Sequence, residues 1–294
     1  MKKLLIAAAT ALLILSAFNT KKKDKLKLPE EFTRIPAGTW HDSKWGGTYD
    51  TWKLVSTSGF YMSKYEVSNS QYRQFYNEVG AGLTEEERKK IMCDSSGWEN
   101  KPMEANYFSQ LAYNNFPVVN ITYEGAMKYC EWLQQKVQKD NPDFIAEVKL
   151  PTRQEWIWAA MGGRNQAMFP WGKYYLLNKK GEPICNFKKI SDGAVYRNRI
   201  TGKPEVAEDS GKYSPTSYYT ANVKSFYPND YGLYNMCGNA AEMISEKGIA
   251  MGGSWNDYGG DVQIRAEVKY QGSASTVGFR PMIIITEKIA VKYQ

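Results

Sequence analysis

The stretch that most constrains the fold lies between Tyr227 and Arg280, where glycine, asparagine and aspartate are interleaved with large apolar residues. Glycine allows positive φ angles and close backbone approach, and Asn and Asp close local turns through their side chains. Apolar residues such as Tyr231, Leu233 and Trp255 between them indicate burial. Because buried loops must satisfy their backbone polar groups, the stretch predicts an ordered, loop-rich core.

Patterns upstream of this stretch predict a mixture of helices and strands. Capping boxes at Ser68 and Thr152 start two helices, and Thr122 can cap a third. Apolar residues follow each of these caps at helical spacing. Alternation of apolar and polar residues predicts strands within 32–40 and 52–62.

Charge is distributed unevenly along the 294 residues, which carry a net charge of +7. Seven lysines and one aspartate fall within residues 1–27, so the remainder of the chain is nearly neutral. A nucleic-acid partner would need a basic patch or stripe on the folded body. We therefore expect no nucleic-acid binding.

The N-terminal segment divides into two parts. Residues 1–20 combine a charged start with an apolar run, which predicts a signal peptide or an N-terminal anchor. Residues 21–31 are rich in lysine and poor in apolar side chains, which predicts a disordered basic tether. Export and possible membrane attachment through the N-terminus follow, with a single domain over residues 32–288.

Export would permit disulfides among the four cysteines, Cys93, Cys130, Cys185 and Cys237. Their spacing matches no disulfide framework. Cys130 lies on the apolar face of the helix after Thr122 and is expected in the core. Disulfides and free thiols both remain open.

Several segments, in chain order, resemble blocks of the formylglycine-generating enzyme (sulfatase-modifying factor) superfamily. The blocks upstream are FTRIPAGTW (32–40), GFYMSKYEVSNSQYRQF (59–75), FPVVNITYEGAMKYCEWL (116–133), KLPTRQEWIWAAMGG (149–163) and FPWG (169–172), and those downstream are NDYGLYNMCGNAAE, MGGSWND and VGFR. The resemblance implies an α+β, C-type-lectin-like single domain with twisted antiparallel strands, a few helices and extensive loops. Residues 81–115 match no block and are predicted to form a surface excursion.

The chemistry that this resemblance implies needs two thiols, because enzymes of the superfamily bind copper with them while oxidising a sulfatase cysteine to formylglycine. The matching positions hold Asp257 and either Val262 or Ile264, and no cysteine follows Cys237. Thiolates are the soft ligands that select Cu(I). A second branch of the superfamily uses iron held by histidines, whereas His41 is the single histidine. We expect neither copper nor iron, and the missing thiol pair favours a protein without enzymatic activity.

Calcium is a different case, because the resemblance implies a site built from hard oxygen atoms. The matching residues are Asn235, Gly238, Ala240 and Glu242, which offer two side-chain oxygens and two carbonyls at a glycine-rich turn. A turn held by Asn and Glu without a metal is the alternative.

The 255–276 loop carries a candidate binding pocket. Its proposed members are Trp255, Asn256, Asp257, Tyr258, Arg265 and Arg280. The two arginines lie among apolar neighbours, so their charges must be paired if they are buried. Ion pairs with Asp257, Asp261 or Glu267 are favoured, and ligand binding is the alternative.

Three functions are compatible with these features. The first is a non-catalytic protein-interaction component of the bacterial envelope, periplasmic or associated with the outer membrane. It most resembles the GldK and GldJ group of gliding-motility and type IX secretion lipoproteins, which implies secretion-ring subunits as partners. The second is a formylglycine-generating oxidase or a related enzyme. The third is a lectin-like protein that binds a ligand with the 255–276 loop.

Overall fold

The computed structural model describes residues 25–42, 53–98, 101–189, 195–197, 199–202, 204–206 and 219–288. The predicted signal peptide or anchor (1–20) and the start of the tether lie outside the described residues. No helix within the described ranges is both long and apolar enough to cross a membrane.

Three of the five α-helices within the described residues begin at side-chain caps that the sequence predicts. The helices are α1 Asn69–Gly80, α2 Glu85–Ile91, α3 Lys101–Asn106, α4 Tyr123–Asp140 and α5 Arg153–Met161. The capping boxes of Ser68 and Thr152 and the cap of Thr122 are confirmed, and Thr84 forms a further box before α2. Helix α4 buries its predicted apolar face, which includes Cys130.

Two four-stranded sheets and two hairpins contain the strands of the described residues. The strands are β1 Phe32–Ile35, β2 Gly38–Asp42, β3 Lys53–Thr57, β4 Phe60–Ser63, β5 Phe144–Lys149, β6 Val195–Arg197, β7 Pro204–Val206, β8 Ala241–Met243, β9 Ile249–Met251, β10 Glu267–Lys269, β11 Val277–Phe279 and β12 Met282–Glu287. The first sheet has the order β1-β4-β12-β5 and the second β10-β9-β8-β11, while β2-β3 and β6-β7 are hairpins.

One pair of strands departs from the antiparallel prediction. Strands β8 and β11 pair in parallel, with Gly278 opposite Glu242 and Phe279 opposite Met243. This register brings Arg280, the residue after β11, to the carboxylate of Glu242. The parallel pair therefore places the most deeply buried charges of the fold.

Residues 81–115 are more than the predicted surface excursion. They contain α2 and α3, and Trp98, Met103 and Tyr107 form a small core with Val119 and Ala240. The Tyr107 hydroxyl donates a hydrogen bond to the Pro117 carbonyl at 2.5 Å. The prediction was wrong because widely spaced aromatic residues anchor a segment whose overall composition is polar.

The second half of the predicted tether is also ordered. The backbone N–H of Lys27 donates to Asn141 Oδ1 at 2.8 Å, and Asn141 Nδ2 donates to the Lys27 carbonyl at 2.7 Å. Leu28 packs against the core cluster that contains α4. Residues 27–31 therefore contact the folded body, because Asn141 pairs with the backbone of Lys27 and Lys64 donates to the carbonyls of Glu30 and Glu31.

Replacement of Thr152 with alanine is expected to lower the unfolding free energy by about 1 kcal/mol, measured by urea denaturation. The Thr152 hydroxyl accepts the Glu155 N–H at 3.2 Å, and Glu155 Oε2 accepts the Thr152 N–H at 2.7 Å. As a control, Glu155→Gln keeps an oxygen that can accept the Thr152 N–H, so its unfolding free energy should fall by less. Equal stabilities of Thr152→Ala and the wild-type chain would contradict this role.

Candidate functional site

A buried ion pair lies where β8 and β11 meet. Glu242 is 1% exposed and Arg280 is 0% exposed. Arg280 Nε donates to both carboxylate oxygens at 3.0 Å, and Nη2 donates to Oε1 at 2.6 Å. Trp156 Nε1 donates to Oε2 at 2.7 Å. Nη1 and Nη2 donate to the carbonyls of Ser63 and Tyr234 at 2.9 and 2.7 Å, so one side chain connects both sheets.

A second carboxyl group, Glu66, is buried beside this ion pair. Its Oε2 accepts a hydrogen bond from Asn235 Nδ2 at 2.9 Å, and its Oε1 accepts one from Asn239 Nδ2 at 2.8 Å. Burial raises the pKa of Glu66 to about 8; Arg280 opposes this, and the charge of Glu242 adds to it. At neutral pH Glu66 is therefore largely protonated, and the three groups together are nearly neutral.

The turn that carries these asparagines has a left-handed backbone. Asn235 has φ 52°, Gly238 φ 73° and Asn239 φ 65°, and Asn is the non-glycine residue that tolerates this region well. A Cβ on Gly238 would lie 2.2 Å from the carbonyl oxygen of Asn186. Asn239 Oδ1 accepts the Ala221 N–H at 2.6 Å. The glycine and asparagines predicted to order this loop therefore have specific conformational roles.

The calcium prediction fits this geometry in part. Asn235, Gly238, Ala240 and Glu242 share one turn and the strand that follows it. Calcium takes six to eight oxygen ligands, and carboxylates supply the negative charge. Here Arg280 already neutralises the Glu242 carboxylate. The four residues therefore offer calcium no net negative charge. Structural calcium remains a prediction.

The two positions that would hold catalytic thiols carry a hydrogen-bonded carboxylate and a buried aliphatic side chain. Asp257 Oδ2 accepts the Ser254 N–H at 2.8 Å and the Ser254 hydroxyl at 2.6 Å. Burial raises the pKa of Asp257, while the bonds from Ser254 lower it. Val262 and Ile264, the alternatives for the second position, are 0% exposed in the core around Trp156. Asp257 therefore closes a turn, and the second position is apolar under either alignment.

All four cysteines are free and buried. Burial raises the pKa of the Cys93 thiol to about 12 and raises those of Cys130, Cys185 and Cys237 well above the ordinary value. A thiolate, not a thiol, is the nucleophile and the metal ligand. At neutral pH these cysteines are core residues that offer no thiolate.

The residues predicted to form a pocket on the 255–276 loop have different surroundings in the structure. Trp255 stacks on Trp98 with ring centroids 6.1 Å apart, and its Nε1 donates to the Ser275 carbonyl. Tyr258 lies beneath the Lys188 ammonium at 5.3 Å. Asn256 is exposed, and Arg280 lies in the buried ion pair. The prediction grouped these residues by composition, whereas the aromatic ones pack against segments outside the loop.

Both arginines form ion pairs, as predicted, but neither pairs with the predicted Asp257, Asp261 or Glu267 among the ion pairs of the described residues. Arg265 Nε pairs with Asp42 Oδ1 at 3.2 Å, and Arg153 bonds the other oxygen of that carboxylate. Arg280 pairs with Glu242. The pairing of β8 with β11 brings Glu242 to Arg280, whereas Asp42 is the last residue of β2 and meets Arg265 through side-chain packing.

Comparison with known proteins decides the family. A family model described as the sulfatase-modifying factor enzyme 1-like domain matches residues 17–284. The chain belongs to this family. The resemblance to the superfamily is thereby confirmed.

Relatives of this sulfatase-modifying-factor domain include active and inactive proteins. The formylglycine-generating enzyme of Mus musculus is 30% identical over 218 residues, which cover 66% of this chain and 50% of the mouse protein. That of Thermomonospora curvata is 26% identical over 261 residues, covering 78% and 75%. The inactive C-alpha-formylglycine-generating enzyme 2 of Bos taurus is 26% identical over 181 residues, covering 56% and 49%. The chain therefore spans about half the length of the mammalian relatives.

Solved structures confirm the fold class. PvdO from Pseudomonas aeruginosa superposes with a TM-score of 0.56 at 17% identity, covering 86% of this chain and 93% of that protein. Treponema denticola variable protein 1 gives a TM-score of 0.55 at 16% identity, covering 85% and 94%. The α+β architecture of this sulfatase-modifying-factor domain is thus shared with these proteins.

Sequence reasoning missed Glu66, the carboxyl group at the centre of the buried polar cluster. It lies in the segment YEVSN, between the end of β4 and the Ser68 cap. A glutamate just before a helix is ordinarily exposed to solvent. The available signal was its position between Tyr65 and Val67, which both precede an amphipathic helix. Backbone hydrogen bonds of the next residue, Val67, to Phe279 and Val118 hold this segment against the core.

Proposed function

We propose that this sulfatase-modifying-factor domain is non-catalytic and acts as a protein-interaction component of the bacterial cell envelope. The observation that carries the proposal is the closure of both thiol positions: Asp257 bonds Ser254, and Val262 and Ile264 are buried in the core. A Cu(I) site needs soft thiolate ligands. Neither a carboxylate nor an aliphatic side chain provides them.

The thiols elsewhere in the chain support the same proposal. Cys237, the cysteine nearest in sequence to the closed positions, is 2% exposed, and its pKa is raised by burial. Binding copper through it would require breaking the core around Trp156. Family membership alone does not decide activity, because the relatives include proteins named as enzymes and as inactive.

The finer proposal concerns location and partners. The N-terminal apolar segment and the motif blocks support export to the periplasm or the inner face of the outer membrane. Resemblance to the GldK and GldJ group supports secretion-ring subunits as partners. Cross-linking in envelope membranes, followed by affinity purification, should recover secretion subunits in stoichiometric amounts. Recovery of a sulfatase in their place would contradict the proposal.

The non-catalytic assignment predicts that the purified protein makes no aldehyde from a sulfatase-derived cysteine peptide with added Cu(I) and oxygen. Hydrazide trapping followed by mass spectrometry measures the product. The Thermomonospora curvata enzyme serves as the active control, and copper without protein as the blank. Aldehyde formed by this chain above the blank would overturn the assignment and restore the oxidase alternative.

A further inference from the structure

A cavity of about 530 Å³ lies away from the closed thiol positions, between residues 164–184 and 227–229. We name it the Trp171 pocket. Its walls include three aromatic rings and three cationic side chains: Trp171, Tyr175, Tyr227, Arg164, Lys173 and Lys179. Ligand sites typically have volumes of 300–1,000 Å³ and mostly apolar walls. The Trp171 pocket has the size and the lining of such a site.

The two walls of the Trp171 pocket are held in place by hydrogen bonds. Arg164 donates from Nε and Nη2 to the carboxylate of Asp230 at 2.8 Å each, and from Nη1 to the Trp171 carbonyl. Trp171 Nε1 donates to the Tyr175 carbonyl at 3.0 Å, and its ring stacks on Phe169 with centroids 5.1 Å apart. A preformed site loses less entropy when it binds a ligand.

Aromatic side chains at the mouth of the pocket are left open to solvent. Tyr175 is 72% exposed and Tyr227 is 87% exposed. Exposed tyrosines that border a concave apolar surface are typical of binding hot spots, because a partner buries them at low entropic cost. The mouth therefore offers contact area that the residues described by the structure leave uncovered.

The polar groups around the cavity restrict the chemistry of the ligand. Asn229 donates to the Ala159 and Ala160 carbonyls and accepts the N–H groups of Tyr231 and Leu233, so its amide is used internally. The charge of Arg164 is neutralised by Asp230.

Lys173 and Lys179 remain, and neither forms an ion pair within the residues that the structure describes. The pocket thus presents positive charge and apolar surface together, with Asn178 and the hydroxyls of Tyr175 and Tyr227 beside them. The positive charge favours an anionic ligand over a neutral glycan.

We propose that the Trp171 pocket binds an acidic segment of a partner polypeptide, in which one apolar side chain fills the cavity and flanking carboxylates face Lys173 and Lys179. The inference rests on the proposed protein-interaction function. It commits to an acidic peptide because the pocket offers apolar walls and two unneutralised ammonium groups together. A free fatty acid shares part of this chemistry and is separated by the experiment.

The test is fluorescence polarisation of the full chain with a fluorescein-labelled peptide that has one leucine between two pairs of glutamates. We expect saturable binding that weakens as salt is added. Replacing the leucine with serine, or the glutamates with glutamines, should each weaken it about tenfold or more. The paired variant Lys173→Glu with Lys179→Glu should abolish binding, and Tyr227→Ala should weaken it about tenfold.

Lys53→Glu with Lys269→Glu is the matched control, because both lysines are exposed and lie outside the pocket. It should bind the peptide as the wild-type chain does. No saturable binding, or equal loss in the control pair, would overturn the proposal. Binding of laurate at the pocket without binding of the peptide would overturn it in favour of a lipid anion. Each result is independent of the aldehyde assay, so the pocket and the non-catalytic assignment can fail separately.

Discussion

Replacement of Arg280 with methionine is expected to lower the unfolding free energy by about 3–5 kcal/mol. Methionine fills much of the same volume but removes the counter-charge of the Glu242 carboxylate, which is only 1% exposed. It also leaves the carbonyls of Ser63 and Tyr234 without their donors. Urea denaturation followed by tryptophan fluorescence measures the change.

A second substitution separates the charge from the packing. Adding Glu242→Gln to Arg280→Met removes the unpaired charge, so we expect a substantial part of the loss to be recovered. Lys136→Met is the control, because Lys136 pairs with Glu78 on the surface at 2.8 Å, and it should cost less than about 1 kcal/mol. If Arg280→Met costs no more than this control, the buried pair does not stabilise the fold as argued.

The stability of the wild-type chain is expected to fall between about pH 5 and pH 8 through Glu66. The folded state holds the proton up to a pKa of about 8, whereas the ordinary value is 4.5. The contribution is fully present below the unfolded pKa and is lost as pH rises through the folded pKa. The loss is on the order of 4 kcal/mol. Urea denaturation across this range should show the slope.

Glu66→Gln should remove this slope, because the amide stays neutral at every pH in the range. The unfolding free energy of the variant relative to the wild-type chain should increase as pH rises and become constant above about pH 8. Asp257→Asn is a useful comparison, since burial also raises the pKa of Asp257. Its effect should be smaller, because Asp257 is only partly buried whereas Glu66 is 0% exposed. Identical slopes for Glu66→Gln and the wild-type chain would contradict the buried, protonated state.

Local signals predicted the parts of this fold that depend on neighbouring residues. The caps at Ser68, Thr122 and Thr152 lie within three residues of the groups that they bond. The apolar face of α4 follows from helical spacing alone. Such features could be predicted because their energetics are complete within one turn of helix.

The partners of the buried charged residues Glu66 and Arg280 could not be predicted in this way. Glu66 bonds Asn235 and Asn239 across 169 and 173 residues of chain. The partner of Arg280 depends on the parallel register of β8 and β11, which no local pattern encodes. The sequence showed only that a buried arginine must have a partner. The identity of that partner is a property of the sheet.

The packing of Trp255, which is predicted to line a pocket on the 255–276 loop, could not be predicted for a related reason. Composition identified Trp255 as a recognition residue, but Trp98 from the unmatched segment 81–115 stacks on it. An aromatic ring on a loop faces solvent or packs inward according to what lies opposite. Here the opposing surface comes from a segment whose packing the sequence did not reveal.

The interior position of β12 in the first sheet has a consequence for biosynthesis. Strand β12 lies between β4 and β5, so neither β4 nor β5 gains this neighbour until residues 282–287 have been synthesised. The guanidinium that joins the two sheets emerges only two residues before β12. The first sheet and its link to the second therefore cannot be completed until residues 280–287 have been synthesised, which makes completion of the fold a late step in synthesis.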